Sequence, residues 1–192
     1  MIRIVVPHGG SGGKTRLDLS PAARDELSLA MLADVLAVAL SFGPTWVVSP
    51  DPVQDATWIP DPGGGLGAAV EAALEELGAG PVLVVNSDLP SVTAGDLRAL
   101  TPLAGIAIAA AADGTTNALG LSDAALFAPL YGPDSAARFR AHARDLGLEA
   151  VPAVVPNLVE DVDTLDDLHR LQLRCGPRTQ ACLHELPVEA AG

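Results

Sequence analysis

Aromatic side chains make up only 3% of the 192 residues, so the core of this chain must be aliphatic. A core of Ala, Val and Leu suits helices packed on a parallel sheet. Positive charge is also scarce: 11 Lys and Arg against 24 Asp and Glu give a formal charge of −13. Nucleic-acid binders neutralise phosphates with Lys and Arg, so no nucleic-acid partner is expected. A small phosphorylated substrate stays compatible, since its site needs only a few local cations and a metal. The two cysteines, Cys175 and Cys182, lack the spacing of a zinc ligand set, and reduced thiols are expected. No apolar run reaches the ~18 residues of a membrane span. Nor does the start, Ile2-Arg3-Ile4-Val5-Val6, carry a signal peptide's basic region. A cytoplasmic location and no membrane partner follow as expectations.

What the chain does have is an alternation of strand and helix signals. Residues 2–7, 45–49, 58–59, 82–85, 106–112, 116–121 and 148–155 read as strands. Helices are expected over about 21–41, 66–77, 93–100, 134–146 and 164–174. Ser20-Pro21 gives the first an N-cap with proline in its first turn, and Gly43-Pro44 ends it. Its apolar stripe, including Leu27, Met31 and Val35, fits a core position, with a homodimer interface as the other use. Repeated β and α units predict an α/β domain with a mostly parallel open sheet and helices on both faces. That domain is expected over 1–174, with a tail over 175–192.

The chemistry concentrates at strand ends. Asn86-Ser87-Asp88-Leu89-Pro90 follows the aliphatic run Val82–Val85, placing Asp88 at the rim where open α/β sheets bind ligands. About seventy residues on comes Glu160-Asp161-Val162-Asp163-Thr164. Extended backbone points residues two apart the same way, so Asp161 and Asp163 share a face. Three carboxylates from two strand ends could hold Mg²⁺ against a triphosphate, which reads as a nucleotidyltransferase. The structural alternatives are a turn cap for Asp88 and a helix N-terminus for Asp163.

The glycine-rich loop His8–Arg16 ends like a Walker A motif in Gly13-Lys14-Thr15. That motif needs glycine where His8 stands, and Gly9 is one residue out of register, so a P-loop is not expected. The backbone N–H groups of such a loop could still cradle phosphate, with Lys14 and Arg16 as cations. Gly63-Gly64-Gly65 would let backbone approach a nucleotide, or would simply form a tight turn before a helix.

Several segments together resemble 2-phospho-L-lactate guanylyltransferase and phosphoenolpyruvate guanylyltransferase, a family of deazaflavin coenzyme F-420 biosynthesis. They are Lys14-Thr15-Arg16-Leu17, the run 29–36, Val48-Ser49-Pro50-Asp51, Asp61-Pro62-Gly63-Gly64-Gly65-Leu66, Ser87-Asp88-Leu89-Pro90, Gly114-Thr115-Thr116-Asn117-Ala118-Leu119, Tyr131-Gly132-Pro133-Asp134-Ser135 and Asp161-Val162-Asp163-Thr164. Each is short, but they occur in family order over residues 1 to about 172. The resemblance implies a nucleotide-diphospho-sugar transferase-like (Rossmann-like) fold and transfer of GMP from GTP to a small phosphorylated acid. It implies Asp88, Asp161 and Asp163 as Mg²⁺ ligands, with Lys14, Arg16 and Asp88 as the catalytic set. Lys14, Arg16, Gly63, Gly64 and Gly65 would contact the nucleotide. Thr116, Gly132 and Ser135 would hold the acceptor, although the Ser135 hydroxyl could instead cap the helix that begins there. Relatives carry lysine in place of His8 and asparagine in place of Gly67. A transferase using another nucleotide or acceptor, and a non-catalytic nucleotide binder, remain the other readings.

Overall fold

The computed structural model describes residues 1–10, 17 and 19–185. Seven strands form one sheet: β1 (Arg3–Pro7), β2 (Thr45–Ser49), β3 (Thr57–Pro60), β4 (Val82–Val85), β5 (Ile106–Ala110), β6 (Thr116–Leu121) and β7 (Ala150–Pro152). Their order is β3-β2-β1-β4-β6-β5-β7. All neighbours run parallel except β6, which is antiparallel to both β4 and β5. The helices are α1 (Pro21–Phe42), α2 (Leu66–Leu77), α3 (Ala94–Leu100), α4 (Ser135–Asp145), α5 (Pro156–Val159), α6 (Leu165–Leu171) and α7 (Pro177–Glu185).

The period-two alternation of a strand splits the core into two layers. Ile4, Val6, Leu83 and Val85 point to one face and pack with Leu32, Val35 and Leu36 of α1 and Leu97 and Leu100 of α3. Val5, Val82 and Val84 point to the other and meet Val70 and Ala73 of α2 and Phe139 and Ala143 of α4. A mostly parallel sheet covered on both faces is thus the architecture. Ser20 caps α1 by accepting from the Ala23 N–H at 3.3 Å; at the other end the chain becomes extended at Gly43, before Pro44, where a Cβ would meet the Ile2 carbonyl at 2.5 Å. The stripe of α1 is core: Leu27, Met31, Leu32 and Val35 are buried.

The expectation of a tail after residue 174 needs correction over its described part. Residues 177–185 form α7, which packs on α1. The reason lies in a buried carboxylate: Asp34 of α1 accepts from the Arg178 N–H at 3.1 Å and the Thr179 N–H at 2.8 Å. It therefore caps the N-terminus of α7 from another helix, satisfying amides that have no partner within their own helix. Around it Leu17, Leu27, Met31, Val162, Leu168, Leu171, Cys175 and Cys182 form a third apolar cluster. Both thiols are free and buried, and burial raises the pKa of each. The seventh strand is shorter than expected because the chain turns into α5 at Pro156. The sixth helix ends at Leu171 rather than near Arg174.

Candidate active site

Asp88 sits just beyond β4, where the chain turns sharply. The turn is fixed by Leu89, which is fully buried, and by the Val92 N–H donating to the Leu89 carbonyl at 3.0 Å. The second acidic segment is anchored in the same manner. Val162 is fully buried in the third cluster, so its two neighbours face away from that core together. The Val162 N–H donates to the Asp88 carbonyl at 3.2 Å, tying the two segments directly. Asp163 is held from its other side, where its N–H and both donors of Thr164 bond the Asp167 carboxylate in a capping box. Burial works upward on the Asp167 pKa, but the bonds from Thr164 and Asp163, with nearby Arg170, bring it below the usual carboxylate range.

The outcome is that Asp88, Asp161 and Asp163 each offer a carboxylate oxygen within 4.8 Å of the others. All three are half-buried. Like charges this close repel one another, and a hard divalent cation with a preference for oxygen ligands relieves that repulsion. The donor set suits Mg²⁺ or Mn²⁺ rather than a metal that favours thiolate or imidazole.

Beside this cluster opens a cleft of about 610 Å³ whose walls include Gly64, Gly65, Asn86, Thr116, Tyr131, Gly132, Ser135 and Asp161. Gly63, Gly64 and Gly65 all take positive φ, at 77°, 86° and 88°, which only glycine adopts at little cost. Gly64 and Gly65 face the cleft while Gly63 does not line it. Gly65 stands at the N-terminus of α2 and supplies no side-chain cap. Thr116 and Ser135 are buried and share a hydroxyl–hydroxyl hydrogen bond of 2.9 Å. Ser135 is the first residue of α4 and does not cap it; that position belongs to Asp134, in a left-handed conformation with φ 55°. Gly132 accepts the Ser135 N–H at 3.1 Å. Lys14 and Arg16 lie outside the described residues.

Sequence reasoning missed Asn86, Asn117 and Tyr131 as participants, and the structure gives His8 and Gly67, singled out in the sequence, their surroundings. Asn86 donates to the Thr116 carbonyl at 3.3 Å and its N–H bonds the Asn117 carbonyl at 3.0 Å, joining the end of β4 to the start of β6. Asn117, 1% exposed, donates to the Val159 carbonyl at 3.2 Å, two residues before Asp161. A carboxamide inside an apolar strand run was the available signal, since a buried amide must find partners. Tyr131, whose pKa burial raises, stacks edge-on against Phe139 at 5.4 Å and forms part of the cleft wall. His8 shares a 3.0 Å hydrogen bond between Nδ1 and the Ser87 hydroxyl, which puts it beside Asp88. Gly67 has a steric reason: a Cβ there would meet Pro129 Cβ at 2.9 Å.

The sheet and the helices covering it have the fold of solved nucleotidyltransferases. A candidate nucleotide-diphospho-sugar transferase from Desulfovibrio desulfuricans G20 superposes with a TM-score of 0.75 at 20% identity, covering 96% of this chain and 94% of that one. The 2-C-methyl-D-erythritol 4-phosphate cytidylyltransferase of Thermus thermophilus gives 0.57 at 18% identity, covering 86% and 95%. Residues 2–188 match the family model described as "Guanylyl transferase CofC like", and the chain belongs to that family. A phosphoenolpyruvate guanylyltransferase of Roseiflexus sp. (strain RS-1) is 35% identical over 88% of this chain and 82% of its own length. A 3-phospho-D-glycerate guanylyltransferase of Phenylobacterium zucineum (strain HLK1) is 31% identical over 95% of each chain. Among the described residues no helix is long and apolar enough to cross a membrane.

Proposed function

We propose that the protein is a Mg²⁺-dependent guanylyltransferase. It moves GMP from GTP onto the phosphate of a three-carbon acid, phosphoenolpyruvate or 2-phospho-L-lactate, within deazaflavin coenzyme F-420 biosynthesis. An acceptor phosphate oxygen bonds the α-phosphorus of GTP as the bond to the bridging oxygen breaks, and pyrophosphate leaves. The observation that carries this reading is the convergence of Asp88, Asp161 and Asp163 to within 4.8 Å, beside a cleft that Asp161 lines. A divalent cation there would neutralise the charge that keeps two anions apart. Family membership supports guanylyl transfer, and the names of the two relatives support a small phosphorylated acid as acceptor.

The chain's own groups divide the remaining work. Fixed positive charge is assigned to Lys14, the only lysine of the chain, and to Arg16, as the resemblance of the segment Lys14-Thr15-Arg16-Leu17 implies. First-turn amides of α2, lacking a side-chain cap at Gly65, are available to triphosphate oxygens. Gly64 and Gly65 leave that approach open. Thr116 and Ser135, with backbone near Gly132, orient the acceptor's acid groups by hydrogen bonds.

Incubating the protein with each of the four NTPs, Mg²⁺ and phosphoenolpyruvate, 2-phospholactate or 3-phosphoglycerate tests the reading through pyrophosphate release. GTP with one of these acids is expected to release most. Release led by UTP or CTP would mark a transferase of other specificity, and none in any combination would mark a nucleotide binder. Replacing Ser135 by alanine separates its two possible roles. A lost hydrogen bond to a charged acceptor is worth roughly 1.5–3 kcal/mol, so KM for the acid should rise about tenfold or more. A lower melting temperature with unchanged KM would make the hydroxyl purely structural.

A further inference from the structure

The described part of the C-terminal segment does more than cover α1. Arg174 projects a forked pair of bonds to the acidic segment, with Nη1 2.7 Å from Glu160 Oε2 and Nη2 2.6 Å from Asn157 Oδ1. Asn157 in turn donates to Asp96 of α3 at 2.9 Å, on the helix that follows the Asp88 turn. Two residues after Arg174, the Gly176 N–H donates to the Pro90 carbonyl at 2.7 Å, within the Asp88 turn itself. Residues 174–176 therefore grip both carboxylate-bearing loops at once. Their own position is set by α7, whose N-terminus is fixed on α1 by Asp34. Only glycine fits at 176, because the Asp34 carboxylate fills the space where a Cβ would stand.

We infer that Arg174 is a positioning residue: with Gly176 it forms a strut that sets the gap between Asp88 and the Asp161–Asp163 pair. This inference rests on the proposal that those carboxylates bind a metal. Planar guanidinium geometry is what lets one side chain hold two acceptors in fixed relation. Without it, the bond from the Val162 N–H to the Asp88 carbonyl would carry more of the task of joining the ligand loops, and they would separate more readily. Groups bonded directly to metal ligands typically control affinity by about 10–100-fold; Arg174 acts one step further out, through Glu160 beside Asp161, so the low end of that range is expected.

Simple electrostatics predicts the opposite sign, which makes the test decisive. Removing a positive charge near a cation site should tighten cation binding, whereas removing a strut should loosen it. Mn²⁺ binding is measured by electron spin resonance on the intact wild type, Arg174→Gln, Arg174→Lys and Asp88→Asn, with Arg140→Gln on the exposed face of α4 as control. Hydrogen exchange at the Val162 amide is followed in the same proteins without metal. Arg174→Gln is expected to weaken Mn²⁺ about tenfold and to speed Val162 exchange, with Arg140→Gln unchanged. Arg174→Lys should recover little, since an ammonium cannot reproduce the fork. Full recovery with lysine, or Mn²⁺ affinity in Arg174→Gln equal to or above wild type with unchanged exchange, overturns the strut. If wild type binds no Mn²⁺ that Asp88→Asn removes, the metal reading falls instead, and Val162 exchange alone judges the strut.

Discussion

Asp88→Asn is expected to lose turnover by about a thousandfold or more while the fold survives. The cation at these carboxylates would supply several kcal/mol of charge stabilisation, and about 4 kcal/mol corresponds to about three decades in rate. Asparagine keeps the shape and one oxygen but removes the negative charge that a hard cation requires. Stability should not fall, because three carboxylates within 4.8 Å repel one another when no metal is bound. Taking one charge away relieves that repulsion, so the metal-free melting temperature should hold or rise slightly. Steady-state pyrophosphate release and thermal melting in chelator check both halves. A near-normal rate in this variant would reject the metal assignment, and collapse of the fold would reject the account of what holds the turn.

A large effect of a different kind is expected at Gly120, far from any chemistry. This residue lies in β6 between two antiparallel partners, opposite Leu83 on one side and Ala107 on the other. A Cβ added there would run into the Leu100 carbonyl oxygen and stand 2.8 Å from Pro102 Cδ. Ladder hydrogen bonds on both edges prevent the strand from moving aside. Overpacking against fixed backbone costs about 3 kcal/mol, which in a domain of this size lowers the melting temperature by roughly 6–12 °C. Gly9→Ala, where a Cβ meets nothing within 4 Å, should change it little. A Gly120→Ala protein as stable as wild type would show that α3 can back away from the sheet.

The site was legible in the sequence where local pattern decides geometry. An aspartate after an aliphatic run reads as a rim residue because strand ends face the ligand crevice. The pair at 161 and 163 reads as co-facing because strand-like backbone alternates, and the burial of Val162 between them is the same fact seen from the core. Ser135 was ambiguous for a local reason: it could cap a helix or meet a ligand. Its 2.9 Å bond to Thr116 belongs to neither option and requires two segments nineteen residues apart. What Asn117 and Asp34 organise was not legible, since their partners, the Val159 carbonyl and the α7 amides, are distant in sequence.

Direction of strand β6 turns on the link before it rather than on its composition. An all-buried strand looks alike in either direction, but the five residues from β5 to β6, with Asp113-Gly114 among them, are too few for a parallel crossover and require a hairpin. Running antiparallel to β4 places its first residues, Thr116 and Asn117, beside Asn86 at the carboxyl end of β4. Had β6 run parallel, Thr116 would lie at the opposite end of the strands from the acidic cluster and away from Ser135 of α4.

The sequence by itself determined the class of fold, the positions of the strands and the helix caps, because alternation, capping residues and glycine turns act over a few residues. Tertiary structure alone decided that the acidic segments meet, that β6 inserts between β4 and β5, and that the described C-terminal residues dock as a helix instead of trailing away. Those outcomes depend on single contacts between distant segments, such as the Asp34 carboxylate with the α7 amides. Such a contact has no period along the chain, so only the folded arrangement brings its two halves together.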